Sequence, residues 1–151
     1  MQRIYLDTVL ISSLIKEDIA PKELAALKQM TALHQKGSIV CYVSELVKKE
    51  LCRLPKKHMK THIEAYELFE CSQLFKHEAV MDIIGTGIIP FPREYPLLSE
   101  LKQVFDEADA KHVFQAINND MFFITVDKGI LNNRREFKIF CPTEFINSLS
   151  P

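Results

Sequence analysis

The stretch Met121-Phe-Phe-Ile-Thr-Val-Asp127 decides the fold class, because it contains the clearest strand in the sequence and ends in an acid. Its apolar and β-favouring side chains predict a short buried strand. Near the N-terminus, Arg3-Ile-Tyr-Leu-Asp7 has the same form. The sequence therefore predicts two short buried strands, each followed directly by a carboxylate.

Helical segments separate such strands along the chain. Pro21 as a first helical residue and Gly37 just past the end predict one helix. Ser44 is a candidate N-cap for the next helix, and Asp106 is a candidate N-cap for a helix that ends at about Asn118. Further strands are predicted over 38–43, 88–89 and 138–141. Further helical segments are predicted after Asp7, over 97–104 and from Pro142, and residues 57–80 are predicted to form a long helix or a hairpin. This alternation predicts an α/β fold with a central, mostly parallel sheet flanked by helices.

Composition limits the possible classes of protein. A chain of 151 residues with 47% apolar residues is long enough for one domain, predicted over 1–151, with a real core. No apolar run approaches the ~18–20 residues of a membrane span, and the N-terminus enters a strand without a signal-peptide layout. We therefore expect a cytoplasmic protein. The cysteines form no Cys-x-x-Cys pair and are expected to be free, buried thiols: Cys41, Cys52, Cys71 and Cys141.

Charge is unevenly distributed along the chain. The net charge of −1 gives the whole molecule no strong attraction for nucleic acid. Residues 48–60, however, hold six Lys or Arg residues against the single acid Glu50, a local charge of +5. This basic stretch has two interpretations, a solvated helix face or a contact with an RNA backbone. The sequence alone leaves both open.

Four acids stand where a parallel sheet would collect them. Asp7 and Asp127 directly follow strands, and Glu50 and Asp109 lie early in helices that follow such strands. Ligands of open parallel sheets bind beyond the carboxyl ends of the strands. Two carboxylates ~4 Å apart repel by about 4 kcal/mol at an effective dielectric constant of 20. Such a group of acids usually holds a hard divalent cation, Mg²⁺ or Mn²⁺.

Four short motifs, taken in order, resemble the PIN-domain family, which includes the toxins of VapBC-type toxin–antitoxin pairs. The first strand ends in Leu6-Asp7-Thr8, and Ser44 is followed six positions later by Glu50-Leu51. A helix begins with Asp109-Ala110 and continues to Ala116, and a strand ends in Thr125-Val126-Asp127. The closing Cys141-Pro142-Thr143-Glu144-Phe145 is also similar to the family's last strand and helix start. The resemblance spans nearly the whole chain.

The resemblance implies a three-layer α/β/α fold and a metal-dependent endoribonuclease. It implies that Asp7, Glu50, Asp109 and Asp127 hold Mg²⁺ or Mn²⁺, that a metal-bound water attacks the RNA phosphodiester, and that no covalent enzyme intermediate forms. Thr125 is a further candidate catalytic residue, or simply a β-favouring strand residue. By the same resemblance, we expect a homodimer and a small antitoxin partner. The candidate contacts are apolar residues of the first two helices: Ile11, Leu14 and Leu27.

Several alternatives remain at this point. Val9 and Val126 stand where many family members have Asn, which favours a catalytically weakened PIN-like module that binds RNA or protein. A phosphatase of the haloacid-dehalogenase type would require Asp-x-Asp after the first strand, and Asp7-Thr8-Val9 lacks it. Glu45 competes with Glu50, and Asp106 and Glu107 compete with Asp109. His58 and His62, four residues apart, are expected to be a surface pair and not a zinc site.

Overall fold

The fold is taken from a computed structural model, which describes residues 1–71 and 96–149. The strand predicted over 88–89 and the last part of the helix or hairpin predicted over 57–80 lie outside the described residues. Within them, the structure is a mixture of α-helices and parallel strands, as the alternation in the sequence predicted.

A five-stranded parallel sheet forms the centre of the protein. Its strand order is β3-β2-β1-β4-β5, and all four neighbouring pairs are parallel. β4 is shorter than predicted because the Thr125 hydroxyl accepts a hydrogen bond from Asp127 N (3.0 Å), which turns the chain out of the strand. The strands are β1 (Gln2–Leu6), β2 (Ile39–Val43), β3 (Glu70–Cys71), β4 (Phe122–Ile124) and β5 (Ile139–Phe140).

The helices begin at residues that the sequence marks. Pro21 is the first residue of its helix, and Gly37 follows the same helix with a positive φ of 71°. Ser44 and Asp106 cap their helices by accepting hydrogen bonds from Val47 N (3.2 Å) and Asp109 N (2.9 Å). The described helices are α1 (Thr8–Lys16), α2 (Pro21–Gln35), α3 (Glu45–Leu51), α4 (Met59–Tyr66), α5 (Pro96–Leu101), α6 (Glu107–Asn118), α7 (Lys128–Asn132) and α8 (Pro142–Leu149), with a 3-10 turn over Lys56–His58.

Helices flank the sheet and bury its apolar side chains. α2 packs on β2 and α8, α6 packs on β4 and α5, and α1 contacts α2, α3 and α4. The core is continuous from β1 to β4, where Ile4, Leu6 and Ile124 are fully buried. No helix in the described part of the chain is long and apolar enough to cross a membrane.

The structure corrects the residues that were expected to contact a partner. Ile11 and Leu27 are fully buried core residues, because α1 is covered by three other helices and α2 by β2 and α8. Leu14 is half-buried. Of the three expected contacts, only Leu14 therefore presents part of its side chain at the surface.

Two further expectations about side chains were wrong. His62 is fully buried, not part of a surface pair, because α4 packs against α1 and α3. Its two ring nitrogens have no hydrogen-bond partner among the described residues. Cys41 is buried, but Cys52, in the turn after α3, is exposed and Cys141 is half-buried. These three are free thiols, as expected.

Candidate active site

The candidate site lies where the strand order reverses direction. From β1 the chain adds β2 and β3 on one side, and it then adds β4 and β5 on the other. Leu6 of β1 pairs with Ile124 of β4, so the next residues, Asp7 and Thr125, leave the sheet side by side. Where the connections that follow two neighbouring parallel strands leave in opposite directions, a crevice opens beyond the carboxyl ends of those strands. We call this place the strand-end crevice, and Asp7 and Thr125 form its floor.

Asp7 is held in the floor of the crevice by Thr125. Its side chain is only 7% exposed, and the Thr125 hydroxyl donates a hydrogen bond to Asp7 Oδ2 (2.5 Å). Burial raises the pKa of Asp7, and the charge of Glu50 raises it further, whereas His112 and the hydrogen bond from Thr125 lower it by less. Thr125 is therefore the hydroxyl that stabilises the ionised form of this buried acid.

Asp109 lies in the first turn of α6 and is electrostatically strained. Partial burial and the negative charges of Asp106, Asp127 and Asp7 raise its pKa to about 6. Acids in the first turn of a helix are ordinarily stabilised by the helix dipole. Here burial, which is the largest cause, and repulsion from nearby carboxylates together raise the pKa of Asp109 instead. Asp7, Asp109 and Asp127 therefore lie close enough to act on one another.

Asp127 stands at the rim of the crevice, where its side chain is exposed. Its Oδ1 accepts a hydrogen bond from Ile130 N (3.1 Å) and so caps α7. The chain therefore uses one carboxylate both to start a helix and to place a negative charge near Asp109.

Glu50 approaches from α3 and is already engaged by neighbouring side chains. The Thr8 hydroxyl donates to Glu50 Oε2, and His112 Nε2 lies 3.1 and 3.2 Å from its two carboxylate oxygens. Burial raises the pKa of Glu50, but the hydrogen bonds and charge of His112 and the hydroxyl of Thr8 outweigh it, so the net pKa is lowered. Glu45, the alternative, is exposed at the start of α3.

A chain of hydrogen bonds that the sequence did not indicate leads from Glu50 through His112 to buried side chains. Tyr5 Oη lies 2.8 Å from His112 Nδ1 and 2.7 Å from Ser44 Oγ. Ser44 Oγ accepts from Val47 N, so its proton can go to Tyr5, the Tyr5 proton to His112 Nδ1, and the His112 Nε2 proton to Glu50. In this direction every donor meets an acceptor.

His112 is fixed by packing as well as by hydrogen bonds. It is 2% exposed, and its ring stacks on Phe123 with the centroids 6.3 Å apart. Burial lowers its pKa, but the hydrogen bond to Glu50 and the charges of Asp7 and Glu50 raise it by more, so the net pKa is raised. The signal available in the sequence was its position one turn after Asp109 on the same helix face.

The structure thus brings the five predicted residues to one end of the sheet in two groups. The charges of Asp7 and Asp127 each act on Asp109, and Thr125 joins Asp7 to the Asp127 backbone. Glu50, whose charge acts on Asp7, is paired with His112. Within residues 1–71 and 96–149, no three or more His, Cys, Asp or Glu side chains form a group that could hold a metal ion.

Val9 and Val126, which the sequence comparison with the PIN-domain motifs singled out, are packing residues. Val9 and Val126 are half-buried, and both pack against the apolar core. They add apolar contact beside Asp7 and Asp127 and supply no side-chain hydrogen bond to the carboxylates. The crevice is therefore less polar at these two positions than the motif predicts.

Comparison with known proteins identifies the fold. A chain of the VapBC2 complex from Rickettsia felis, in a crystal structure with a DNA fragment from their promoter, matches this protein with a TM-score of 0.54 and 11% sequence identity. The match covers 92% of this chain and 98% of that chain. No family model and no curated protein sequence match the chain. The protein has a mixed α/β, PIN-like three-layer fold with a parallel central sheet, as its motifs predicted.

Proposed function

We propose that this protein is a metal-dependent endoribonuclease that hydrolyses RNA phosphodiester bonds in the strand-end crevice. The observation that carries the proposal is the placement of acids at the carboxyl ends of β1 and β4, where Leu6 pairs with Ile124, Thr125 binds Asp7, and the charges of Asp7 and Asp127 act on Asp109. Negative charges that are kept close at a stability cost are typical of functional sites and need a cationic partner. The PIN-like fold is compatible with this activity but does not by itself establish it.

The donor atoms suit Mg²⁺ or Mn²⁺, since carboxylate oxygens are the ligands that these hard cations prefer. Asp7, Asp109 and Asp127 would be the principal ligands, and Glu50 would be the fourth carboxylate. These acids repel one another without a counter-charge, and among the described residues they form no compact ligand group. A bound divalent cation supplies an ionised water and stabilises charge on the phosphoryl group.

The chain's own residues would orient these carboxylates. Thr125 holds Asp7 with one hydrogen bond, which fixes the direction of its second oxygen. His112 and Thr8 together hold Glu50. In the proposed reaction water is the nucleophile, so the protein supplies no side chain that bonds covalently to the RNA.

A cleavage assay tests this function. Wild-type protein with a mixture of RNAs and Mn²⁺ or Mg²⁺ should produce fragments, and EDTA should stop the reaction. Asp7→Asn and Asp127→Asn should each lower the rate by about a hundredfold or more, as expected for removal of a charged group that acts in the transition state. Glu67→Gln, which changes an exposed acid after α4, is the matched control. Equal rates for wild type and both Asn variants would reject the site.

We further propose that the protein is the toxin of a toxin–antitoxin pair, forms a homodimer and binds a small antitoxin protein. The fold similarity to a chain of the VapBC2 complex supports this proposal. A surface groove of about 380 Å³ between α1, α2 and α4 offers an apolar face for such a partner. Leu14, Ile15 and Leu68 line it, and Leu68 is 49% exposed. Co-purification with the product of an adjacent small gene tests the antitoxin.

The second candidate function is a catalytically weakened module that binds RNA or protein. Val9 and Val126 favour it because they remove polar groups next to Asp7 and Asp127, and the described residues hold no ready-made ligand group. The same assay separates the two candidates. RNA that is bound but remains intact with both Mn²⁺ and Mg²⁺ would support the binding module and reject the nuclease.

A further inference from the structure

An exposed basic surface continues from the strand-end crevice along α3 and the 3-10 turn. All six of its cationic side chains are exposed in the structure. Three acids lie beside it along the chain. Glu45 is exposed at the start of α3, Glu50 is engaged by His112 and Thr8, and Glu64 Oε1 lies 3.9 Å from Lys60 Nζ. The basic surface consists of Lys48, Lys49, Arg53, Lys56, Lys57 and Lys60.

Most of these cations are not used to hold the fold together. Arg53, Lys56 and Lys57 take part in no ion pair in the part of the chain that the structure describes. Lys48 makes a contact with the Tyr66 ring, 5.9 Å from its centroid, but pairs with no described acid. Like charges held side by side repel, so the surface would be stabilised by a polyanion.

Arg53 connects this surface to the site. It follows Glu50 by three residues, one helical turn, and its charge helps to lower the pKa of Glu50. A phosphate held at Arg53 would therefore lie beside the crevice that contains Asp7. Lys56 and Lys57 continue the positive charge away from the crevice along the chain.

We propose that the basic surface binds the phosphodiester backbone of RNA and leads it into the strand-end crevice. The proposal rests on the proposed function, because it supplies the substrate contacts that four acids cannot supply. Acids in the crevice repel phosphates, so a substrate needs an attractive surface close by. Backbone contacts of this kind depend on charge and carry no base specificity.

Binding and cleavage can be measured separately. A fluorescently labelled single-stranded RNA of mixed sequence is titrated with protein in EDTA, and the dissociation constant is followed by anisotropy between 50 and 200 mM KCl, a range over which backbone contacts lose about three orders of magnitude or more in affinity. Lys56→Gln/Lys57→Gln removes two surface charges. Lys36→Gln/Lys138→Gln removes two exposed charges that precede β2 and β5, at the amino ends of the strands and so at the end of the sheet opposite the crevice.

The expected result is a loss that is confined to the first double variant. Lys56→Gln/Lys57→Gln should bind RNA about tenfold more weakly and should lower the slope of log affinity against log salt by about 1.4, or ~0.7 for each lost phosphate contact. Addition of Arg53→Gln should lower both quantities further. Lys36→Gln/Lys138→Gln should bind as wild type does.

Other outcomes would overturn the proposal. If Lys56→Gln/Lys57→Gln binds RNA as wild type does, or wild type binds none at 50 mM KCl, the basic surface is not an RNA surface. If polyglutamate of equal charge binds more tightly than RNA, the surface fits an acidic protein instead. RNA held through Lys56 and Lys57 without Mn²⁺-dependent cleavage would reject the nuclease and retain the surface. If Lys56→Gln/Lys57→Gln binds RNA normally and the protein cleaves RNA with Mn²⁺, the nuclease is retained and the RNA-binding role of the basic surface is rejected.

Discussion

His112 Nε2 lies 3.1 Å from Glu50 Oε2, and this pair of a buried imidazole and a half-buried carboxylate joins α6 to α3 across 62 positions of sequence. The opposite ring nitrogen, Nδ1, meets the hydroxyl of Tyr5 at 2.8 Å. An imidazole held at both nitrogens has one orientation, so the carboxylate that it contacts is oriented too. His112 is therefore a positioning residue for Glu50 in the proposed site.

The first prediction concerns this positioning role. His112→Phe keeps a flat ring against Phe123 but removes both hydrogen bonds, so it should lower the free energy of unfolding by about 1–3 kcal/mol and also lower kcat for RNA cleavage. His112→Gln can donate through its amide nitrogen and accept through its amide oxygen, so it should recover part of kcat. Urea denaturation and initial rates measure the two effects. A Gln variant as slow as the Phe variant, at higher stability, would show that orientation of Glu50 does not matter.

The second prediction concerns Thr125. Thr125→Val keeps the shape but removes the hydroxyl that donates to Asp7 and accepts from Asp127 N. We expect a loss of about 1–3 kcal/mol in unfolding free energy, because buried polar groups lose their partner. Thr125→Ser retains the hydroxyl and serves as the control. Equal denaturation midpoints for the Val and Ser variants would show that the hydrogen bond to Asp7 contributes nothing.

The third prediction is a pH dependence of stability in metal-free protein. The folded pKa of Asp109, about 6, exceeds its ordinary value of 3.8, so the folded protein holds the proton more tightly than the unfolded chain. Stability from this group is full below pH 3.8 and is lost as the pH rises towards 6. Asp109→Asn should therefore gain about 1–2 kcal/mol at pH 7 in EDTA, after allowance for partial exposure of the side chain.

That gain should shrink as the pH falls from 7 towards 3.8, since Asp109 of the folded wild type becomes protonated and then carries no more charge than Asn. Thermal unfolding in EDTA at several pH values measures it. Glu67→Gln, the exposed control, should show no such trend. An Asn variant whose advantage is constant with pH would mean that a neutral packing effect, not repulsion from Asp7 and Asp127, is responsible.

The fourth prediction links Asp127 to the metal. Mn²⁺ should stabilise wild-type protein by about 2.7 kcal/mol at a hundredfold excess over its dissociation constant. Asp127→Asn should gain less from Mn²⁺, yet it should melt higher than wild type in EDTA, because Asn can still cap α7 and repulsion of Asp109 is relieved. Thermal unfolding of wild type and Asp127→Asn, each in EDTA and in Mn²⁺, measures both effects. Identical curves for the two proteins in EDTA and in Mn²⁺ would remove Asp127 from the metal site.

The fifth prediction concerns assembly. Sedimentation at micromolar concentrations should show a homodimer. Leu14→Glu places a charge in the apolar groove between α1, α2 and α4, and it should weaken binding of the proposed antitoxin, because a buried charge without a partner is costly. Lys22→Glu, an exposed change on α2, is the control. A purely monomeric protein would reject the homodimer, and normal antitoxin binding by the Leu14 variant would remove the groove from that interface.

The parts of the fold that depend on local sequence could be predicted. Pro21, Gly37, Ser44 and Asp106 act over three or four residues, so they set helix ends in isolation. The apolar residues before Asp127 likewise predict a strand from their local sequence alone. Parallel pairing then follows from the alternation of strands and helices, which explains why four acids could be assigned to one end of the sheet before any coordinates were known.

The features of the fold and of the site that depend on contacts between residues distant in sequence could not be predicted. Tyr5 and His112 are 107 positions apart, and each reads in the sequence as an ordinary core residue. Three side chains on helices were expected at the surface and are buried for the same reason. Ile11, Leu27 and His62 are covered by helices and strands that lie far away in sequence. Periodicity indicates which residues share a face, but it does not reveal how many faces other elements will cover.

The hydrogen bond from Thr125 to Asp7 spans 118 positions and has a consequence for how the protein is made. During synthesis, Asp7 leaves the ribosome early, but β1 has no β4 to pair with until Phe122–Ile124 follows. The crevice therefore cannot exist on a partly translated chain. If the protein cuts RNA, the cell's own messages and ribosomal RNA are safe from each copy until β4 has been made, and a product truncated before β4 lacks the crevice.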